Sequence, residues 1–240
     1  MKTITFLILL VISNGILAQL EIPRYEADDT IIIHRGYTLS YNSKYKQANW
    51  VAYLLTNEET VKRFQRGEYF APDPLIPGTD FKVDYLKSGY DRGHLAPAAD
   101  MGYSMETMVQ SFYYSNMSPQ VPRFNRGIWK KLEMQVRNWA IEYDSLYIVT
   151  GPIFSDSMKV IGPHRVAVPK AYYKVLIQKR NGTWEEIGFV LPNSNSKVDF
   201  KNYATSIDKV EEITGIDFFW GLENKVEFSI EQQFCIQCWR

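Results

Sequence analysis

The chain has 240 residues, a formal net charge of zero, and 45% hydrophobic and 15% aromatic residues. Such a composition excludes a disordered polymer and is enough to fill one core. Zero net charge also excludes a partner held by the overall field, so a polyanion would have to be attracted by a local cluster of arginines and a bound cation.

Lys2 precedes an apolar run over 4–11 that continues loosely to Ala18, and charge then stays absent until Glu21. This pattern reads as an export signal, 1–18, cleaved after about Ala18. It predicts a secreted or periplasmic protein whose mature form, 19–240, is a single domain without a membrane anchor. Ser13, Asn14 and Gly15 break the run, which falls short of the roughly 20 apolar residues of a spanning helix. No linker, repeat or low-complexity segment divides the remainder.

Strands are expected at 36–42 and 49–56, where β-branched and aromatic residues concentrate, with a turn between them. The stretch 62–87 holds Pro72, Pro74, Pro77 and Gly78 and reads as a long surface loop. Ser104, with Glu106 in the first turn, starts a short helix reaching about Tyr114. The clearest helix is 125–143, where Ile128, Leu132, Val136, Trp139, Ala140 and Tyr143 recur at spacings of three and four. Strands follow at 145–150, 164–168, 172–179 and 184–191, then a helix over 199–214 with Val210 and Ile213 inward and Gly215 as its stop. Strands on both sides of a central helix predict an α+β domain with a mainly antiparallel sheet.

The segment "SGYDRGHLAPAAD", 88–100, carries the densest chemistry. It contains one of only three histidines, His94, two positions after Arg92 and between the carboxylates of Asp91 and Asp100. An imidazole can take a proton from water near neutral pH, and a nearby guanidinium disfavours its charged form. A lone histidine is more often a satisfied core residue, but this one is not alone. On the long helix, Asn125 is followed by Glu133 and Arg137. At about 100° per residue these lie about 80° and 120° round from Asn125, along one flank. An amide oxygen, a carboxylate and a guanidinium suit a hydrated Mg²⁺ beside a phosphate. From periodicity alone, a surface Glu133–Arg137 pair explains the spacing equally well. Cys235 and Cys238 lack the strand-helix context of a redox motif and the further ligands of a zinc site, so they read as a structural or incidental pair.

"DRGHLAPAAD", "SNMSPQ" and "NRGIWKKLE", in that order and spacing, resemble the DNA/RNA non-specific endonucleases, ββα-metal nucleases that include secreted bacterial enzymes and mitochondrial endonuclease G. The similarity covers roughly 35–220. It implies the ββα-metal fold, with a central, mainly antiparallel sheet flanked by helices, and Mg²⁺-dependent hydrolysis (Mn²⁺ as the alternative) of DNA and RNA to 5′-phosphate and 3′-hydroxyl ends. By the same resemblance His94 is the general base, Asn125 the one direct protein ligand of the metal, and Glu133 the residue holding metal-bound water. Arg137 and Arg92 contact substrate, and Asn116 is an active-site asparagine. The chain departs from the pattern at "FAPD", where Ala71 stands in place of an arginine; Arg66 or Arg63 is the expected substitute, or the contact is missing. His34 and His164 match nothing catalytic. Two rivals remain at this stage: an exported adhesion module built on the aromatics, and a nuclease relative that binds without cutting.

Overall fold

The computed structural model describes residues 19–67, 69–222 and 235–239. The expected export signal lies outside them. In chain order the elements are β1 (Thr30–Ile33), β2 (Thr38–Asn42), β3 (Gln47–Thr56), α1 (Lys82–Tyr85), β4 (Asp91–His94), α2 (Met105–Gln110), β5 (Met117–Gln120), α3 (Lys130–Tyr143), β6 (Ser145–Ile153), β7 (Lys159–Ile161), β8 (Val166–Val168), β9 (Ala171–Arg180), β10 (Thr183–Pro192), β11 (Ala204–Thr205) and α4 (Ile207–Thr214). A seven-stranded sheet in the order β1-β2-β3-β6-β9-β10-β11 forms the centre, and its pairings are antiparallel. The pairs β4-β5 and β7-β8 form two separate ribbons.

Alternation along each strand gives the sheet two apolar faces. On one face, Leu39, Val51, Tyr53, Ile148, Tyr172 and Leu176 pack with Leu132, Val136 and Trp139 of α3. On the other, Trp50, Val149, Tyr173, Val175 and Ile177 pack with Ile207 and Val210 of α4. The periodic residues of α3 therefore face inward as expected, with Leu132, Val136, Trp139 and Ala140 buried. The β4-β5 ribbon lies on the α3 side, and this layer carries the candidate site.

Three expectations change. The helix expected over 199–214 is a short 3-10 turn at Phe200–Tyr203, then β11, then α4. Ala204 and Thr205 are held by pairing to β10, and Ser206 restarts the helix by accepting a hydrogen bond from the Lys209 N–H. With that start, Ile207 and Val210 face the core and Ile213 is exposed. The stretch 62–87 is not a surface loop throughout, because Asp73, Ile76, Thr79, Phe81 and Tyr85 are buried within it. The long helix is broken at its start, where Gly127 takes a non-helical conformation (φ −107°, ψ −108°) between Asn125 and α3. Two strands that the sequence reading did not assign, β1 and β7, are each fixed by a hairpin partner.

Candidate active site

β4 carries the Asp91–His94 motif, paired in register with β5 so that Gly93 faces Ser118 and His94 faces Met117. A Cβ at Gly93 would come within 2.4 Å of three side-chain atoms of buried Gln120, which explains why the motif has a glycine there. Beyond the strand, Asn116 fixes the turn. Its Oδ1 accepts from the Ala96 N–H at 2.9 Å, and its Nδ2 donates to the carbonyls of Ala96 (2.9 Å) and Ser111 (2.8 Å). Asn116 is fully buried and its amide is committed to these partners, so it braces the His94 segment from behind rather than facing the cavity.

His94 lies at the edge of a cavity of about 330 Å³ whose walls include Arg66, Asn125, Lys130, Glu133 and Arg137. Phe112 meets its ring edge-on at 4.8 Å, and Phe70 lies 5.9 Å away. The imidazole is 8% exposed, and its Nε2 has no partner among the described residues. Burial, and then the Arg66 guanidinium, push its pKa down to about 3. The cation acting on His94 is thus Arg66 and not Arg92. Arg92 belongs to an adjoining cavity, where its guanidinium lies 4.8 Å from the Phe70 ring centre and 5.8 Å from that of Tyr85. The two cavities share Arg66, Asn125 and Arg126, so they form one groove.

Asn125 is held by a neighbour that sequence reading gave no role. Its Nδ2 donates to Asp91 Oδ2 at 2.9 Å, and Arg126 grips both oxygens of the same carboxylate at 2.8 and 2.6 Å. The amide orientation is thereby set, and Oδ1 is not used by any described donor. Although Gly127 breaks the regular helix, Asn125, Glu133 and Arg137 all reach the same cavity. Arg137 donates to Asp100 Oδ1 at 2.6 Å, and the Tyr53 hydroxyl donates to Asp100 Oδ2 at 2.8 Å. Glu133 stands beside this pair, and burial raises its pKa against the opposing pull of Lys174. Lys174, on β9, is fully buried, and its ammonium lies 5.1 Å from the Trp129 ring centre with no hydrogen-bond partner. Burial lowers its pKa while Glu133 and Asp100 hold it up. Two carboxylates and two cations thus form a charge-balanced floor.

Among the described residues no group of three or more His, Cys, Asp or Glu side chains could hold a metal ion. The groove offers one free amide oxygen and one carboxylate, with room for water. That donor set fits a hard ion keeping most of its hydration shell, the behaviour of Mg²⁺, and does not fit a zinc-type cage.

Arg66 lines both cavities, so it is the cation nearest the role left open by Ala71. Ala71 itself is fastened by backbone bonds to Phe112 and Tyr114. Arg63 lines neither cavity. The other two histidines each bond a buried aspartate, His34 to Asp73 at 2.9 Å and His164 to Asp84 at 2.7 Å. Cys235 and Cys238 form a disulfide.

Residues 18–225 match the family model for DNA/RNA non-specific endonuclease. The chain belongs to this family. It is 33% identical over 219 residues to a nuclease of Nostoc sp., covering 86% of this chain and 79% of that protein. To mitochondrial endonuclease G of Caenorhabditis elegans the identity is 34%, with coverages of 84% and 71%. To the mitochondrial nuclease EXOG of Xenopus laevis it is 34%, and the match spans 56% of that longer chain. A chain in the crystal structure of the EndoG/EndoGI complex superposes with a TM-score of 0.79 at 31% identity, over 84% of this chain and 90% of that one. The α+β architecture is therefore the ββα-metal nuclease fold of the family, and the protein is a nuclease. No helix among the described residues is long and apolar enough to cross a membrane.

Proposed function

We propose that this protein is an exported, Mg²⁺-dependent endonuclease that hydrolyses the phosphodiesters of DNA and RNA without reading sequence. One observation carries the reading: an imidazole and an amide with a free oxygen border the same cationic cavity, although 31 positions separate His94 from Asn125.

His94 accepts the proton of the attacking water on its ring; Nε2 is shut off from solvent, and Nδ1, which no described residue bonds, is the nitrogen left to face the cavity. Burial, and then Arg66, keep the ring neutral. A phosphodiester brings negative charge next to Arg66, which offsets the repulsion and raises the basicity of His94 when it is needed. Arg137, fixed in direction by Asp100, and Arg66 bind phosphate oxygens. Arg92 binds the phosphate of the adjoining cavity. Asn125, oriented by Asp91, would hold the ion, with Glu133 presenting a carboxylate to the ion's water shell. The bound ion supplies charge stabilisation for the crowded phosphate and the departing 3′ oxygen, leaving 5′-phosphate and 3′-hydroxyl ends. Export rests on Lys2 and the apolar run after it.

Digestion of plasmid with Mg²⁺, with and without chelator, tests the reading. Metal-dependent nicking is expected, and His94→Ala should lower turnover by at least ~10²-fold with the fold retained. Chelator-insensitive cutting would remove the role of Asn125, and full activity in His94→Ala would remove the base. N-terminal sequencing of the protein recovered outside the cell tests export; a chain beginning at Met1 counts against it.

A further inference from the structure

A chain with no net charge has to hold a polyanion through local clusters of cations. A second concave surface, of about 500 Å³, lies between the β2-β3 turn and the β7-β8 turn. Lys44, Lys46, His164 and Arg165 line it, with Asp156 the one acidic side chain among its lining residues. Lys44, Lys46 and Arg165 make no ion pair with any described residue, whereas Arg24, Arg35, Arg126, Arg137 and Lys209 all do. Both turns are firmly fastened. Ala167 donates its N–H to the Tyr45 carbonyl at 3.2 Å, and the Gln47 amide donates to the Ala167 carbonyl at 2.8 Å. The cations are therefore displayed on a fixed frame.

Two separate links join this surface to the catalytic groove. Asp84 bonds His164 on the one side, while the next residue, Tyr85, lines the Arg92 cavity on the other. Val160 lines the second surface, while the ammonium of Lys159 before it lies 5.3 Å from the ring centre of Tyr90, which also lines the Arg92 cavity. Cations therefore follow one another from Lys130 and Arg66 through Arg92 and Lys159 to Arg165 and Lys46. The one acidic residue of the Arg92 cavity, Asp91, is already neutralised by Arg126.

Resting on the nuclease reading above, we propose that the surface between residues 43–46 and 162–165 is a second nucleic-acid subsite, binding the sugar-phosphate backbone of the strand that flanks the cleaved bond. It contributes affinity for long substrates and none to the chemistry. It also accounts for a polyanion-binding protein with no net charge, because the positive charge lies along one track.

The test compares wild type with K44E/K46E/R165E and with the milder K44Q/K46Q/R165Q, each checked for unchanged thermal unfolding. Binding is measured with metal chelated, to a duplex of about 40 base pairs, long enough to lie along the whole track, and to a single strand of about six nucleotides. Cleavage of both is measured with Mg²⁺. Charge reversal should weaken duplex binding by at least about 10-fold and flatten the dependence of log K on log salt by about 2 to 3, with the Gln variant intermediate. Cleavage of the short strand should stay at the wild-type rate. Undiminished duplex binding, or an equal loss on both substrates, overturns the subsite. So does binding of the wild-type surface to phosphatidylserine vesicles in place of duplex. A wild type that binds duplex but cuts neither substrate refutes the nuclease reading, while the chelated binding data still decide the subsite.

Discussion

Asp91 Oδ2 accepts a hydrogen bond from Asn125 Nδ2 at 2.9 Å, and this single contact decides which end of the Asn125 amide faces the cavity. Arg126 holds the carboxylate in place by bonding both of its oxygens. Asp91→Ala frees the amide to rotate and deprives Arg126 of its partner. The Mg²⁺ concentration for half-maximal activity is expected to rise about 10- to 100-fold, as when an orienting partner of a metal ligand is removed. Calorimetric titration of the metal reads the same change without substrate; an unaltered isotherm would count against the orienting role.

Gly93 is a packing requirement. Gly93→Ala sets a methyl against the side chain of Gln120, which is buried and would have to be displaced. A loss of about 1–3 kcal/mol is expected, read as a lower denaturation midpoint in urea. A midpoint within error of wild type would mean that the ribbon relaxes around the methyl.

Burial, and after it the Arg66 guanidinium, lowers the pKa of His94. With His94 held at about 3, kcat/KM should not fall with acid where an ordinary histidine titrates. Arg66→Ala removes a repelling cation, which raises the His94 pKa and moves the acidic limb to higher pH. An unmoved limb would show that burial alone sets the value.

His94 also links stability to pH. Its folded pKa lies below its unfolded value, so the stabilising preference for neutral imidazole is complete above about pH 6.5 and is lost as pH falls towards about 3. Wild type minus His94→Gln stability should therefore decline with falling pH by at most about 1.4 kcal/mol per unit. A difference independent of pH across this window would show an unshifted histidine.

Asp100 is the anchor of the floor, taking both the Arg137 guanidinium and the Tyr53 hydroxyl while itself 1% exposed. Asp100→Ala leaves two donors and a buried cation uncompensated. About 3–5 kcal/mol of destabilisation is expected from chemical denaturation, with a loss of turnover because Arg137 is no longer directed. A loss below ~1 kcal/mol would mean that water replaces the carboxylate.

The residues that touch one another within an element were the legible ones. The face of α3 could be read from its period, because Leu132, Val136 and Trp139 are placed by local geometry alone. The N-cap at Ser104 was equally local, accepting from the Thr107 N–H as its position suggests. Ile213 was misplaced because the helix start at Ser206 depends on strand pairing to β10, a contact made in space.

In the site the division follows the same physics. The amino-acid order alone determined that an imidazole, an amide and a carboxylate with the right chemistry exist, that they fall within three short motifs, and that the apolar side of α3 turns away from Glu133 and Arg137. Which partner sets each group's direction and charge was decided only by folding. Arg66 rather than Arg92 faces His94, Asn116 turns inward to brace a loop, Asp91 orients Asn125, and Lys174 of a distant strand lies beneath Glu133. Hydrogen bonds and Coulomb forces act over a few ångströms of space, and positions 20 to 41 residues apart in the chain leave no periodic trace of being neighbours.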